Sequence, residues 1–348
     1  MSPRESGPLI SAILPNYNHS QFLQEAVRGL ASQVPPPCEI IVVDDASTDE
    51  SLVVLGSLTE EIPNLRVLRE DVNRGAISAL NRGLAEALGT HVYFGAADDV
   101  VLPGLFAATV AALELHPDAA FATCECIITD FSGKRRGFRP PVRPSHRQRF
   151  FSPRQVQGLL RRADNWALTG AALFRRDLVQ VAGGFDCTAD SFADGLLTRR
   201  LALGSGFVFV PMMGFHWRIN PAGLSRSASS GIDASRKMVA SIIDHVEADP
   251  IFPSWYAPLL ERRWRFNIGR IAIAEARPMH IDLLQACCAR NAIDRALYGF
   301  ASAIWYPAGA FLALIWLTLR ERPMSLTGAL LTALARRLSP TREKSGTA

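Results

Sequence analysis

No Cys-x-x-Cys pair occurs among the six cysteines of this 348-residue chain. Cys124 and Cys126 stand two apart, which points both to one face of a strand, and Cys287 and Cys288 are adjacent. They read as reduced core residues of a cytoplasmic protein, not as a zinc site or a disulfide framework. A strong excess of one charge is also missing. The formal net charge is +4, and no helix face carries a regular basic stripe interleaved with aromatics, so nucleic acid is not an expected partner. No Gly-x-Gly-x-x-Gly follows the first apolar run, which counts against a dehydrogenase. Nor does a Gly-rich, Lys-bearing diphosphate loop stand there, which counts against nucleotidyl transfer onto a sugar phosphate. The first residues, Met1 to Gly7, are too polar for a signal peptide. No internal repeat of fixed period is present. What the chain does have is 48% hydrophobic content, enough for a large core, and a length that predicts about two domains.

The first half alternates strand and helix patterns. Leu9 to Leu14 is an apolar run ending in Pro15-Asn16-Tyr17-Asn18, and Ser20 to Ser32 then carries apolar residues at helical spacing. Ile40 to Val43 is an unbroken apolar run that ends on Asp44 and Asp45 and continues into Ala46-Ser47-Thr48-Asp49. His91 to Gly95 repeats the device and runs into Ala96-Ala97-Asp98-Asp99. Helices are predicted over 51–58, 76–88 and 103–115, and strands over 65–68 and 119–128. Strands separated by helices of this length predict a mostly parallel sheet with right-handed crossovers. In such sheets ligands bind beyond the carboxyl ends of the strands. Two strands ending on acid pairs therefore predict one acidic crevice. Asp49 has a competing reading as a helix cap, and Asp44 as a residue that orders its loop.

Residues 133–149 are rich in Arg and Pro, a solvated loop or a positively charged flap for phosphates or an anionic membrane surface. Beyond about Ser230 the pattern is mostly helical, dividing the chain into 1–230 and 231–348. Tyr298 to Leu319 lacks any charged residue, and a helix of that length would just cover a hydrocarbon core of about 30 Å. Trp305, Tyr306 and Trp316 favour a membrane interface. Pro307 and Gly309 interrupt the run, so an embedded segment, helices lying in the interface and a buried helical hairpin all stand. Leu326 to Leu338, with Arg336-Arg337, reads as a surface helix on anionic lipid.

Pro15-Asn16-Tyr17-Asn18, Val43-Asp44-Asp45-Ala46-Ser47-Thr48-Asp49, Asn73-Arg74-Gly75, Ala97-Asp98-Asp99 with Pro103, Phe174-Arg175-Arg176, Gly183-Gly184-Phe185-Asp186 and Asp194 occur in that order. In this the chain resembles the family-2 inverting glycosyltransferases of the GT-A fold, over about Leu9 to Ser227. The resemblance implies a Rossmann-like α/β domain followed by a helical carboxyl-terminal region. It implies transfer of a sugar from a nucleotide diphosphate donor, a uridine diphosphate sugar favoured, to a saccharide or lipid-linked hydroxyl in bacterial glycan or polysaccharide synthesis. Its setting would be the cytoplasm, at the inner face of the cell membrane. A divalent cation, Mn2+ or Mg2+, would lower the cost of the diphosphate leaving group.

Residue by residue, the resemblance makes Asp99 the metal contact, with His216 a second possible one. Asp98 would reach the donor's ribose, and Asp45 would accept the imide N–H of the base. Pro15, Tyr17 and Asn18 would line the nucleoside pocket, and Arg74 belongs to the same donor site. Asp194, opening a predicted helix, would be the base that takes the acceptor proton, with Asp190 as a fallback. Three positions depart from the family pattern: Ala96 and Ala193 stand where relatives carry acids, and Asn220 where many carry His. A mobile loop is expected over 222–230, with Arg226 near the diphosphate. The departures keep open a catalytically silent domain that binds nucleotide or glycan.

Overall fold

The computed structural model describes residues 9–130, 132–219, 232–274 and 279–338. Its contacts divide the chain into two compact units. One comprises Met1–Leu159, Asp164–Asn220 and Ala329–Ala348, and the other Leu160–Ala163 and Pro221–Gly328.

The first unit is built on β1 (Ile10–Asn16), α1 (Ser20–Ala31), β2 (Glu39–Asp44), α2 (Ser51–Glu61), β3 (Leu65–Arg69), α3 (Ala76–Glu86) and β4 (His91–Phe94). Strands β1 to β4 run parallel, in the order β3-β2-β1-β4. Their cores are unbroken apolar runs because helices cover both faces: Ile40, Ile41, Val42 and Val43 are each 0% exposed. Helix α3 packs close on this layer at Gly83, where an added Cβ would lie 2.4 Å from Ile13 Cγ2. A side chain at that position would push the helix off the sheet.

The chain then continues through β5 (Val100–Val101), α4 (Leu105–Leu115), β6 (Phe121–Thr129), β7 (Arg135–Arg139), β8 (Arg149–Phe151), α5 (Pro153–Arg162), β9 (Ala172–Arg175), α6 (Arg176–Val181), α7 (Ala193–Ser205) and β10 (Phe207–Arg218). Strand β9 is antiparallel to both β4 and β6, and β10 runs parallel to β6 and antiparallel to β5. The sheet is thus mixed, ten strands in all among the described residues. The predicted helix from Pro103 begins later, at Leu105, because Gly104 sits at φ 90° and stops it extending backwards.

The Arg-rich stretch is not a free flap. Residues 135–139 form β7, antiparallel to β6, and its cations have internal partners. Arg136 pairs with Asp130, Arg139 stacks on Trp217 at 4.7 Å, and Arg143 pairs with the fully buried Glu125. Cys124 and Cys126 lie buried on β6 as expected, but Cys38 and Cys187 are exposed, and all six thiols are free.

The second unit holds α8 (Ile232–Ala248), α9 (Tyr256–Ala274), α10 (Ile281–Cys288), α11 (Ala292–Ala303), α12 (Tyr306–Glu321) and the start of α13 (Leu326–Leu338). Its core gathers Ala272, Ile273, Leu284, Cys288, Tyr298, Ala301, Ala313 and Leu317. The apolar run over 298–319 does not make one helix. It is divided between α11 and α12, because Pro307 suits a first helical turn and nothing deeper. Gly309 lets the two helices touch at the backbone, a Cβ there falling 2.0 Å from Ala301 O. No helix among the described residues is long and apolar enough to cross a membrane. Arg336 of α13, expected to face lipid, instead binds Glu125 and Pro140 O and lies over the Phe138 ring at 5.1 Å.

Candidate active site

Three neighbouring parallel strands, β2, β1 and β4, deliver their carboxyl ends to one edge of the sheet, and the predicted residues gather there. Asp45 is 2% exposed, and its two carboxylate oxygens accept the Arg74 and Gly75 N–H groups at 2.8 and 2.7 Å. It anchors the Asn73-Arg74-Gly75 turn, in which Gly75 adopts φ 88° and Arg74 is exposed. Asp44 accepts from Asn16 Nδ2 at 2.8 Å and from Ser47 N at 3.1 Å, so it orders its loop. Asn18, in the left-handed region at φ 56°, accepts through Oδ1 from Thr48 N and Asp49 N. Asp49 in turn accepts from Ser20 N and Ser51 N at the starts of α1 and α2. Burial works against its charge, but those hydrogen bonds outweigh it and hold the carboxyl at about 2. Between these loops Pro15 is half-buried and Tyr17 is 43% exposed, an aromatic face free to meet a ligand.

The second acid pair follows β4. Asp99 is 8% exposed, and its Oδ1 accepts the Arg218 N–H at 2.7 Å. Burial, and then the neighbouring Asp98 charge, push its carboxyl well above the usual range against the pull of Arg218. Asp98 lies 4.0 Å from His19 Nε2. Arg218 closes this corner: its guanidinium donates to Asp98 O at 3.1 Å, pairs with Glu25 on α1 and covers the Phe22 ring. His216 sits on β10 opposite Val100 and beside Ile127. Among the described residues no group of three or more His, Cys, Asp or Glu could hold a metal ion. The donors present are nonetheless the right kind, two hard carboxylates that repel each other, one of them buried and reluctant to ionise. A divalent cation taking its other ligands from a diphosphate and water fits such a pair; a cage made of protein alone does not.

Asp194 stands in the first turn of α7, where the Gly195 N–H donates to its Oδ1. Burial raises its carboxyl above the ordinary value; that N–H, Arg199 and Arg139 pull the other way. Arg139 acts on this acid through its charge. It donates to Asn165 Oδ1 at 2.8 Å and stacks on Trp217, the residue before Arg218. One set of contacts therefore runs from Asp99 through Arg218 and Trp217 to Arg139, whose charge is felt by Asp194. Sequence reasoning missed Arg139, Trp217, Arg218 and His19. The run His216-Trp217-Arg218 was visible, but only its His offered a recognised chemistry. The side chain of Asp190, and Asn220, Arg226 and the 222–230 loop, lie outside the described residues.

A doubly wound sheet with acid pairs at its carboxyl edge and a further acid opening a helix defines an α/β protein with an acidic ligand crevice. Residues 11–181 match the family described as Glycosyl transferase family 2. The chain is 31% identical over 302 residues to an uncharacterized protein of Mycobacterium tuberculosis (strain CDC 1551 / Oshkosh), covering 82% of this chain and 91% of that one. It belongs to glycosyl transferase family 2, with a GT-A fold, and is a glycosyltransferase. Several curated relatives are matched over only about a third of their length. Among solved structures the chain is similar to S. aureus TarS in complex with UDP, at 18% identity and TM-score 0.57, covering 95% of this chain and 91% of that chain. It is similar also to the mannosyltransferase PcManGT from Pyrobaculum calidifontis in complex with GDP-Man and Mn2+, at 22% identity and TM-score 0.56, covering 96% and 88%. These two likenesses bear on the fold alone.

Proposed function

We propose that the chain moves a sugar from a nucleotide diphosphate donor, a uridine diphosphate sugar favoured, to a hydroxyl of a saccharide or lipid-linked acceptor in glycan synthesis, with inversion at the anomeric carbon. The observation that carries this reading is Asp194. It is a carboxylate at a helix start whose burial makes it a stronger base, and it lies in the field of Arg139, which stacks on Trp217 beside the corner that holds Asp98 and Asp99.

The steps follow from the residues. Tyr17, with Pro15 and the Asn18 loop, forms a wall for the nucleoside, and Asp45 fixes the Arg74 turn beside it while keeping lone pairs for a base N–H. Asp98 is the acceptor for a ribose hydroxyl. A divalent cation, when bound at Asp99, would neutralise charge developing on the leaving diphosphate. His216, on β10 beside β5, would be a second residue to hold that cation. Asp194 takes the proton of the acceptor hydroxyl as its oxygen forms the new bond to the anomeric carbon. The bond from that carbon to the diphosphate breaks on the opposite face, and the electron pair leaves with the diphosphate. Positioned proton transfer of this kind is worth roughly 100- to 10,000-fold in rate.

In this reading the reaction runs at the inner face of the cell membrane, where a lipid-linked acceptor would reside. Steady-state kinetics of Asp194→Asn test the assignment of the base. The expected result is kcat lower by at least about 100-fold with nucleotide affinity unchanged; a variant with near-normal kcat would remove Asp194 from the mechanism.

A further inference from the structure

Among the described residues, the helical unit exposes an apolar face along α12. On α12 the residues Gly309, Ala313, Leu317 and Glu321 are buried, while Phe311, Ile315 and Leu319, spaced four apart on the other side, are 67%, 41% and 58% exposed. Trp305, at the joint between α11 and α12, is 77% exposed, and Phe300, in the last turn of α11, is 60% exposed. A soluble monomer rarely presents large side chains in such a row, and rows of this kind mark contact surfaces.

The charges nearby indicate what covers it. From Ala292 to Gly328 the only acids are Asp294 and Glu321, 1% and 0% exposed. Each is neutralised inside the unit, Asp294 by Arg320 and Glu321 by Arg290. The exposed charges of this stretch, Arg295 and Arg322, are both positive. A hydrophobic row with Trp at one end, cations at its margin and its acids sealed away is complementary to an anionic lipid surface. Two copies meeting across a two-fold axis through the same row would share its cationic margin, a poorer match. Helix α12 itself is 16 residues, about 24 Å at 1.5 Å per residue, short of a hydrocarbon core of about 30 Å. Its other face is committed to a protein core.

We infer that the chain docks on the membrane from one side, with Trp305, Phe311, Ile315 and Leu319 lying in the plane of an anionic lipid interface and Arg295 and Arg322 on its headgroups. This deepens the membrane placement proposed above and rests on it for its purpose, holding the enzyme where a lipid-linked acceptor resides.

The test is flotation of the full chain with vesicles of phosphatidylglycerol and phosphatidylethanolamine, compared with phosphatidylcholine alone. The same assay is run on the triple variant Trp305→Ser, Phe311→Ser, Ile315→Ser and on Arg295→Glu with Arg322→Glu. All five side chains point outward, and near-ultraviolet circular dichroism with uridine diphosphate calorimetry checks that each variant is folded. The expected result is flotation with the anionic vesicles, weaker with neutral lipid or high salt, reduced at least tenfold in the triple variant and severalfold in the charge variant. Wild-type protein that stays at the bottom of the gradient, or a triple variant that floats as well as wild type, overturns the inference. So does sedimentation showing a lipid-independent dimer that the triple variant converts to monomer. Flotation without nucleotide binding would remove the proposed reaction and leave the docking surface in place.

Discussion

Glu125 lies within β6 at 0% exposure, between Arg143 and Arg336, whose side chains are 11% and 12% exposed. Removing Arg336 takes away the stacked cation over Phe138 and both of its hydrogen bonds to Glu125 Oε2. Breaking a buried pair by deleting one partner costs about 3–5 kcal/mol. Because Arg143 remains, the low end applies, about 3 kcal/mol for Arg336→Ala. At roughly 2–4 °C per kcal/mol for a chain of this order of size, the melting midpoint falls by about 6–12 °C. Differential scanning calorimetry of wild type, Arg336→Ala, Glu125→Gln and the double variant gives the coupling directly. The expected interaction is about 1 kcal/mol or more, since neutralising Glu125 removes the charge that Arg336 serves. A shift below about 2 °C for Arg336→Ala, or strictly additive single effects, would refute the claim that α13 is held by this charge.

Other consequences follow from the loops. Asp45→Ala leaves the Arg74 and Gly75 N–H groups without their acceptor, and uridine diphosphate affinity should fall at least tenfold by calorimetry, with stability lower by about 1–3 kcal/mol. Asp49 has a folded-state value of about 2 against an ordinary 3.8. Its ionised form therefore supports the fold above about pH 4, and that support is lost as pH falls through 2. Its carboxylate is exposed, so Asp49→Ala should cost only about 1 kcal/mol at pH 7 in urea melts, with the difference closing near pH 2. Asp194 must be ionised to act as a base and its value is raised, so kcat should decline with falling pH at a higher pH than an ordinary aspartate would give.

Much of this was legible in the sequence because it is local. The runs before Asp44 and Asp98 are buried on both faces of a parallel layer, and such strands read as continuous apolar segments whose ends are easily placed. Asp194 was legible as an acid opening a helix. Glu125 and Arg336 were not, being 211 residues apart, so Arg336 read as a lipid-facing charge. Strand β7 was hidden because its arginines find rings and carboxylates for partners, while the chemical alphabet of a solvated loop is the same. Hydropathy alone could not divide the 298–319 run between two helices either. That division depends on Pro307 falling in a first turn and on Gly309 meeting the Ala301 carbonyl, both facts of packing.

The central claim is a nucleotide-diphosphate site at the edge that carries Asp45, Asp98 and Asp99. It is tested most directly by calorimetric titration of the intact protein and of Asp99→Asn with uridine diphosphate, with and without manganese. The account predicts binding that strengthens with the cation in the wild type and loses that dependence in the variant, which keeps an acceptor for the Arg218 N–H. No binding of uridine, guanosine or thymidine diphosphate under any of these conditions would contradict it.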